Sequence, residues 1–174
     1  MKQSLSNLIL FVLVFTISSC TTERTPTENA AFYLEQNGTM QQYEFAHDEL
    51  LKLLRQKFPE TDANKEKWDQ LRANKKQALK AIKNALVPLY VKHFTKEDID
   101  EMIVFYSSDA AKQMLADRSG MTPEQKNELS AFYTTEVGKK IMEKQQVLGT
   151  DVATASESWS RELYQNALML LQNE

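Results

Sequence analysis

A helical unit is written twice in this chain, 27 positions apart, and this limits the folds open to it more than any other feature. The copies run from Phe94-Thr95-Lys96-Glu97-Asp98 to Phe105-Tyr106-Ser107-Ser108-Asp109, and from Met121-Thr122-Pro123-Glu124-Gln125 to Phe132-Tyr133-Thr134-Thr135-Glu136. In each, a threonine stands where its hydroxyl can accept the first orphan amides of a helix, with capping-box spacing behind it. Acidic residues nearby suit the helix dipole, and Pro123 takes the first helical position, where proline is favoured. About three turns later comes a Phe-Tyr step, then Ser107-Ser108-Asp109 or Thr134-Thr135-Glu136 as a second cap. Ala110, Ala111, Met114 and Leu115, or Val137, Gly138, Ile141 and Met142, form a second apolar patch. Each unit, over 94–115 and 121–142, reads as a small helical hairpin. Two units are too few for a solenoid, so a pseudosymmetric bundle is expected. Ile99 and Ile103 become Lys126 and Ser130 in the second copy, which predicts shallower burial there.

The rest of the chain is helical in pattern. Thr27 is expected to cap a short helix carrying Ala30, Ala31 and Leu34, stopped by Asn37-Gly38. From Thr39, residues Tyr43, Ala46, His47, Leu50, Leu54 and Phe58 recur at helical spacing as far as Pro59. His47, alone on that stripe, reads as a core or boundary residue. After a break at Pro59 to Asp62 comes the longest helical pattern, with Trp68, Leu71, Ala78, Leu79, Ile82 and Leu86 on one face and Lys75 snorkelling through it. Pro88 is expected to kink or end that helix near Val87. A last helix is expected from about Thr150, burying Val152, Ala155, Trp159, Leu163, Ala167 and Leu170. The sum is an all-α fold: one helical bundle of about six to eight helices over 28–174, containing the two pseudo-repeated hairpins.

The N-terminus reads as an export signal. Lys2 precedes the apolar run Leu8 to Ile17, which has the length of a signal-peptide core and is too short to span a bilayer. Ile17-Ser18-Ser19-Cys20 resembles the bacterial lipobox, so residues 1–19 are expected to be removed and Cys20, the sole cysteine, to carry the lipid. Two or more acyl chains such as palmitate anchor stably. Residues 20–27 would then form a short tether. The expected location is the bacterial cell envelope, lipid-anchored in the outer membrane and facing the periplasm. Without residues 1–19 the chain has 20 basic and 24 acidic side chains, a net charge of −4. That balance and the export signal argue against nucleic-acid binding.

Against this acidic background, Lys65, Arg72, Lys76, Lys80 and Lys83 align on one helical side. The stretch Lys65 to Lys83 holds seven basic and two acidic residues, a local charge of +5. Such a stripe is commonly a solvated face; its functional reading is contact with an acidic protein or anionic envelope component. The duplicated aromatics Phe105, Tyr106, Phe132 and Tyr133 are either core anchors or a shelf for an apolar ligand. His47 and His93 lack a metal-ligand or triad pattern nearby, and there is no Gly-rich phosphate loop. Neither a metal nor a cofactor is expected.

Leu86-Val87-Pro88-Leu89-Tyr90 through Phe94-Thr95, Phe105-Tyr106-Ser107-Ser108, and Phe132-Tyr133-Thr134-Thr135-Glu136-Val137-Gly138-Lys139-Lys140 resemble a bacterial helical family known as domain of unknown function 2059. Its hallmark is a Phe-Tyr step followed by Ser or Thr and a Gly-x-Lys pair. The resemblance covers roughly Leu86 to Leu163. The first copy has Ala111 where the hallmark has glycine; the second keeps Gly138. The family implies an exported, all-helical protein with no established activity or catalytic residues, and it adds no chemistry.

The leading expectation is a noncatalytic, membrane-anchored envelope lipoprotein whose helical domain binds a protein or an envelope component. The alternative is a carrier or sensor of a small apolar ligand held between helices. A hydrolase is the weakest of the three.

Overall fold

The computed structural model describes residues 24–172. The signal sequence and Cys20 lie outside them. Among the described residues there are eight α-helices: α1 (Pro26–Gln36), α2 (Thr39–Lys57), α3 (Lys65–Ala73), α4 (Lys75–His93), α5 (Lys96–Tyr106), α6 (Asp109–Asp117), α7 (Pro123–Thr134) and α8 (Glu136–Gln172). A short 3-10 turn, Arg118–Gly120, follows α6. The all-α bundle expected from the sequence is the fold observed.

Both repeat units are capped where the sequence places the caps. Thr95 Oγ1 accepts from the Asp98 amide while the Asp98 carboxylate accepts from the Thr95 amide; Thr122 and Gln125 do the same in the second unit. Ser108 then accepts from the Ala111 amide to start α6, and Thr135 from the Gly138 amide to start α8. The shallower burial of the second unit is also seen: Ile99 is fully buried, whereas Lys126 and Ser130 are exposed.

Four boundaries differ from the sequence reading, each for a local reason. The first cap is Thr25, not Thr27, because Thr25 and Glu28 form a reciprocal capping box and Pro26 fits the first helical position. Pro26 and Thr27 therefore belong to α1 and not to a tether. The long pattern after Asp62 is broken at Asn74 into α3 and α4. Pro88 does not end α4, which runs on to His93. Pro88 and Asn84 are both exposed, so water can satisfy the carbonyl that proline leaves without its donor, while Leu86, Val87 and Tyr90 hold the helix on the core.

The fourth difference is the largest. The second arm of the second hairpin and the C-terminal helix are one helix, α8, of 37 residues, about 55 Å long at 1.5 Å per residue. Thr150 does not cap a new helix; its hydroxyl donates to the Gln146 carbonyl one turn back. Gly149 sits in open space and merely lowers propensity.

α8 serves as a spine for two apolar clusters. The main core gathers α1, α4, α5, α7 and the first half of α8 around Leu34, Ile82, Leu86, Ile99 and Met102, all essentially inaccessible. α1 lies against α4 and α5, and α4 runs along α8. Trp159 on α8 donates its indole N–H to the Ala78 carbonyl of α4 at 2.9 Å. A smaller cluster, Leu54, Trp68, Leu71 and Ala167, joins the ends of α2 and α8 to α3.

Candidate functional site

The duplicated aromatics meet inside the main core. Phe105 of α5 and Phe132 of α7, equivalent under the 27-residue offset, stack face to face with centroids 4.0 Å apart and planes within 5°. Each carries its neighbouring tyrosine edge-on, at 5.3 Å for Tyr106 and 5.5 Å for Tyr133. Tyr106 also meets Tyr33 of α1 edge-on, and Tyr33 contacts Tyr90 of α4. Burial raises the phenol pKa of Tyr33 well above 10, that of Tyr106 to about 12, and that of Tyr90 in the same direction. None of the four duplicated rings lines one of the three main surface cavities. Phe105 and Phe132 belong to the main core, and Tyr106 and Tyr133 pack against it.

The hallmark glycine and lysine have structural roles. A Cβ on Gly138 would lie 2.2 Å from the Phe132 carbonyl oxygen and 2.6 Å from Tyr133 Cα, so α8 approaches the end of α7 too closely for any other residue. Ala111, the equivalent residue of the first unit, is wholly buried, and there the methyl fits. Lys140 pairs with Asp98, joining α8 to the capping box of α5. Desolvation pushes the Asp98 carboxyl up, but Lys140 and the Thr95 amide outweigh it and hold the pKa below its ordinary 3.8.

The basic stripe is divided by the break at Asn74. Lys65 and Arg72 stand on α3, where Lys65 pairs with Asp69 at 2.8 Å and Arg72 forks onto Glu60 at 2.8 and 3.0 Å and reaches Asp69. These contacts hold the Glu60 and Asp69 carboxyls below their usual range. On α4, Lys83 pairs with Glu35 of α1 at 2.8 Å. Lys75, which the sequence reading left snorkelling, is 2.8 Å from both Glu44 and Asp48 of α2. Lys76 and Lys80 have no counter-ion among the described residues. One turn apart on α4, they border a groove of about 630 Å³ whose apolar lining includes Met40, Ala73 and Leu79.

A second cavity, of about 570 Å³, opens on another side of the bundle between α2, the α3–α4 junction and the last turns of α8. Leu51, Leu71, Leu163 and Ala167 contribute apolar surface, and Gln70, Asn74, Gln77 and Asn166 contribute carboxamides. His47 of α2 lines it with 1 % of its surface exposed. Its Nδ1 lies 3.4 Å from Asp48 Oδ1, and Nε2 has no hydrogen bond among the described residues. A carboxylate can only accept, so this contact makes Nδ1 the donor and leaves Nε2 of the neutral ring an acceptor. The Lys75 ammonium is the main reason that the Asp48 carboxyl lies below its ordinary value. Sequence reasoning passed over this site. Gln70, Asn74 and Gln77, spaced four and three residues apart, were a legible uncharged polar face, but nothing local connects them to His47 or Asn166.

His93 Nε2 is 3.5 Å from Asp151 Oδ2 and, though buried, makes no hydrogen bond among the described residues. The described residues contain no group of three side chains able to hold a metal ion, and none of their helices is long and apolar enough to cross a membrane.

The fold and these surfaces define an all-helical protein built on two equivalent capped helix pairs that meet through stacked phenylalanines. A family of uncharacterized proteins conserved in bacteria, DUF2059, matches it twice, over residues 80–124 and 118–166, which together span half of the 174-residue chain. The chain belongs to that family. Each match contains one Phe-Tyr pair. No curated protein and no solved structure matches the chain.

Proposed function

We propose that this chain is a noncatalytic lipoprotein of the bacterial cell envelope, anchored through acylated Cys20 in the outer membrane and facing the periplasm. Its helical domain binds an acidic, amphipathic segment of another envelope protein. The observation that carries the binding half is the Lys76 and Lys80 pair, two ammonium groups without counter-ions among the described residues at the rim of an apolar-lined groove. Most other cations around them are already engaged, by Glu35, Glu44, Asp48, Glu60 and Asp69. A partner carboxylate meeting Lys76 or Lys80 gains a charge-assisted contact without displacing an existing one. Met40 and Leu79 offer apolar contact beneath it. The anchor half rests on the signal-like run ending in Ile17-Ser18-Ser19-Cys20.

A photo-crosslinking residue at Asn84, which lines the groove, tests the binding half in intact cells, with exposed Gln145 as a remote control. The expected result is one defined protein adduct from Asn84 and none from Gln145. Equal capture at the two positions, or none at either, would remove the groove from the reading. For the anchor, the N-terminal peptide of the membrane-purified protein should carry the mass of acyl chains on Cys20, and Cys20→Ala should release the chain from the membrane fraction. An unmodified Cys20 in a membrane-bound protein would contradict it.

A further inference from the structure

We infer that the cavity around His47 is a second, separate site, which binds a small uncharged molecule with an apolar body and a head that both donates and accepts hydrogen bonds. Its volume, about 570 Å³, is of the order that accommodates a small organic ligand. The leucines and Ala167 that line it suit an apolar body. The Trp159 indole N–H is already committed to Ala78, so that side chain offers only its apolar ring. For the head, the side chains of Gln70, Asn74, Gln77 and Asn166 make no hydrogen bond to described residues, and each carboxamide supplies both donors and an acceptor.

His47 is the most informative of these groups. It is 1 % exposed, and Nε2 has no hydrogen bond to a described residue. It is not one of the enclosed unpartnered atoms among the described residues, which are Trp68 Nε1 and His93 Nε2, so it stays reachable for a molecule in the cavity it lines. A hydroxyl or amide N–H of the ligand would satisfy it. The charge of the head follows from the lining, which holds no lysine or arginine and one carboxylate, Glu162, on an exposed residue. An anionic head would be desolvated there without a counter-ion. The helix interruption at Asn74 falls at this cavity, so the local loss of α-helical regularity between α3 and α4 is part of the site.

The chain has two histidines, so 15N-histidine labelling of the full chain in lipid nanodiscs gives a two-imidazole spectrum, with His93 as the internal control. The probes are phenyl β-D-glucoside and phenyl phosphate, which share an apolar body and differ in head charge. Phenyl glucoside should shift the His47 ring nitrogens saturably and leave His93 unmoved, with phenyl phosphate about tenfold weaker. Ala81→Phe, at an exposed residue that lines the cavity, should abolish the His47 shift while the helical circular dichroism is retained. The inference is overturned if His47 does not respond, if both probes act equally, or if Ala81→Phe leaves binding intact. Asn84 crosslinking is read in the other groove, so failure of one site leaves the other standing.

Discussion

Two glycines on α8 should respond to the same substitution with opposite signs. At Gly149 nothing lies within 4 Å of an added Cβ, so Gly149→Ala should gain helix propensity, about 0.5–1 kcal/mol. Gly138→Ala has a similar propensity gain available, but its Cβ would sit 2.2 Å from Phe132 O and 3.0 Å from Phe132 C. Both are backbone atoms, and no side-chain rotation relieves the overlap. Separating α7 from α8 by about 1 Å overpacks the corner at a cost of ~3 kcal/mol or more, leaving a net loss of about 2 kcal/mol. For a domain of this size that lowers Tm by about 4–8 °C, whereas Gly149→Ala raises it by about 1–4 °C. Ala111→Gly in the first unit should also destabilise, by ~1–2 kcal/mol, through a lost buried methyl and lost propensity. Thermal and urea unfolding of the three variants decide the matter. A Gly138→Ala protein as stable as Gly149→Ala would refute the close-approach explanation of the hallmark glycine.

The stacked pair should couple: a double-mutant cycle of Phe105→Leu and Phe132→Leu is expected to show about 1 kcal/mol of interaction, and additivity within ~0.3 kcal/mol would contradict a direct stack. Asp98 titrates below its ordinary 3.8 in the folded chain, so its contribution is present above that pH and is lost as pH falls through the folded value. Lys140→Gln should remove about 1 kcal/mol at neutral pH and flatten this acid limb, read as urea midpoint against pH. Tyr106 behaves in the opposite sense. Its pKa, raised to about 12, makes its contribution complete below pH 10 and lost as pH climbs toward 12. Ultraviolet titration should show Tyr33, Tyr90 and Tyr106 ionising above the ordinary phenol pKa of 10, and Tyr106→Phe should remove one of these late steps.

The capped repeat was legible because its signals are local. Thr95, Ser108, Thr122 and Thr135 each act within three residues, and sequence shows that range well. Pro88 and Thr150 misled because their effect depends on surroundings. Asn84 and Pro88 are both exposed, so water can serve the carbonyl that Pro88 leaves without a donor, and a back-bonded hydroxyl turns a candidate cap into a mid-helix residue. The basic stripe was visible as composition, but its useful part was not. Which lysines are free depends on Glu35, Glu44 and Asp48, which reach them from α1 and α2. The His47 cavity was hidden for the same reason, since Asn166 joins Gln70, Asn74 and Gln77 only when α8 folds back along α4. The Phe-Tyr pairs are visible in the sequence, but the 4.0 Å stack of Phe105 on Phe132 depends on how α5 meets α7 and is not.

Crosslinking from Asn84 in cells carrying charge-reversed lysines tests the proposed partner surface most directly. Lys76→Glu with Lys80→Glu should abolish capture of the partner, whereas Lys65→Glu, at a residue already paired with Asp69 and outside the groove, should leave it unchanged. Capture that survives the double reversal, or falls equally with Lys65→Glu, would contradict the assignment of Lys76 and Lys80 as the binding pair.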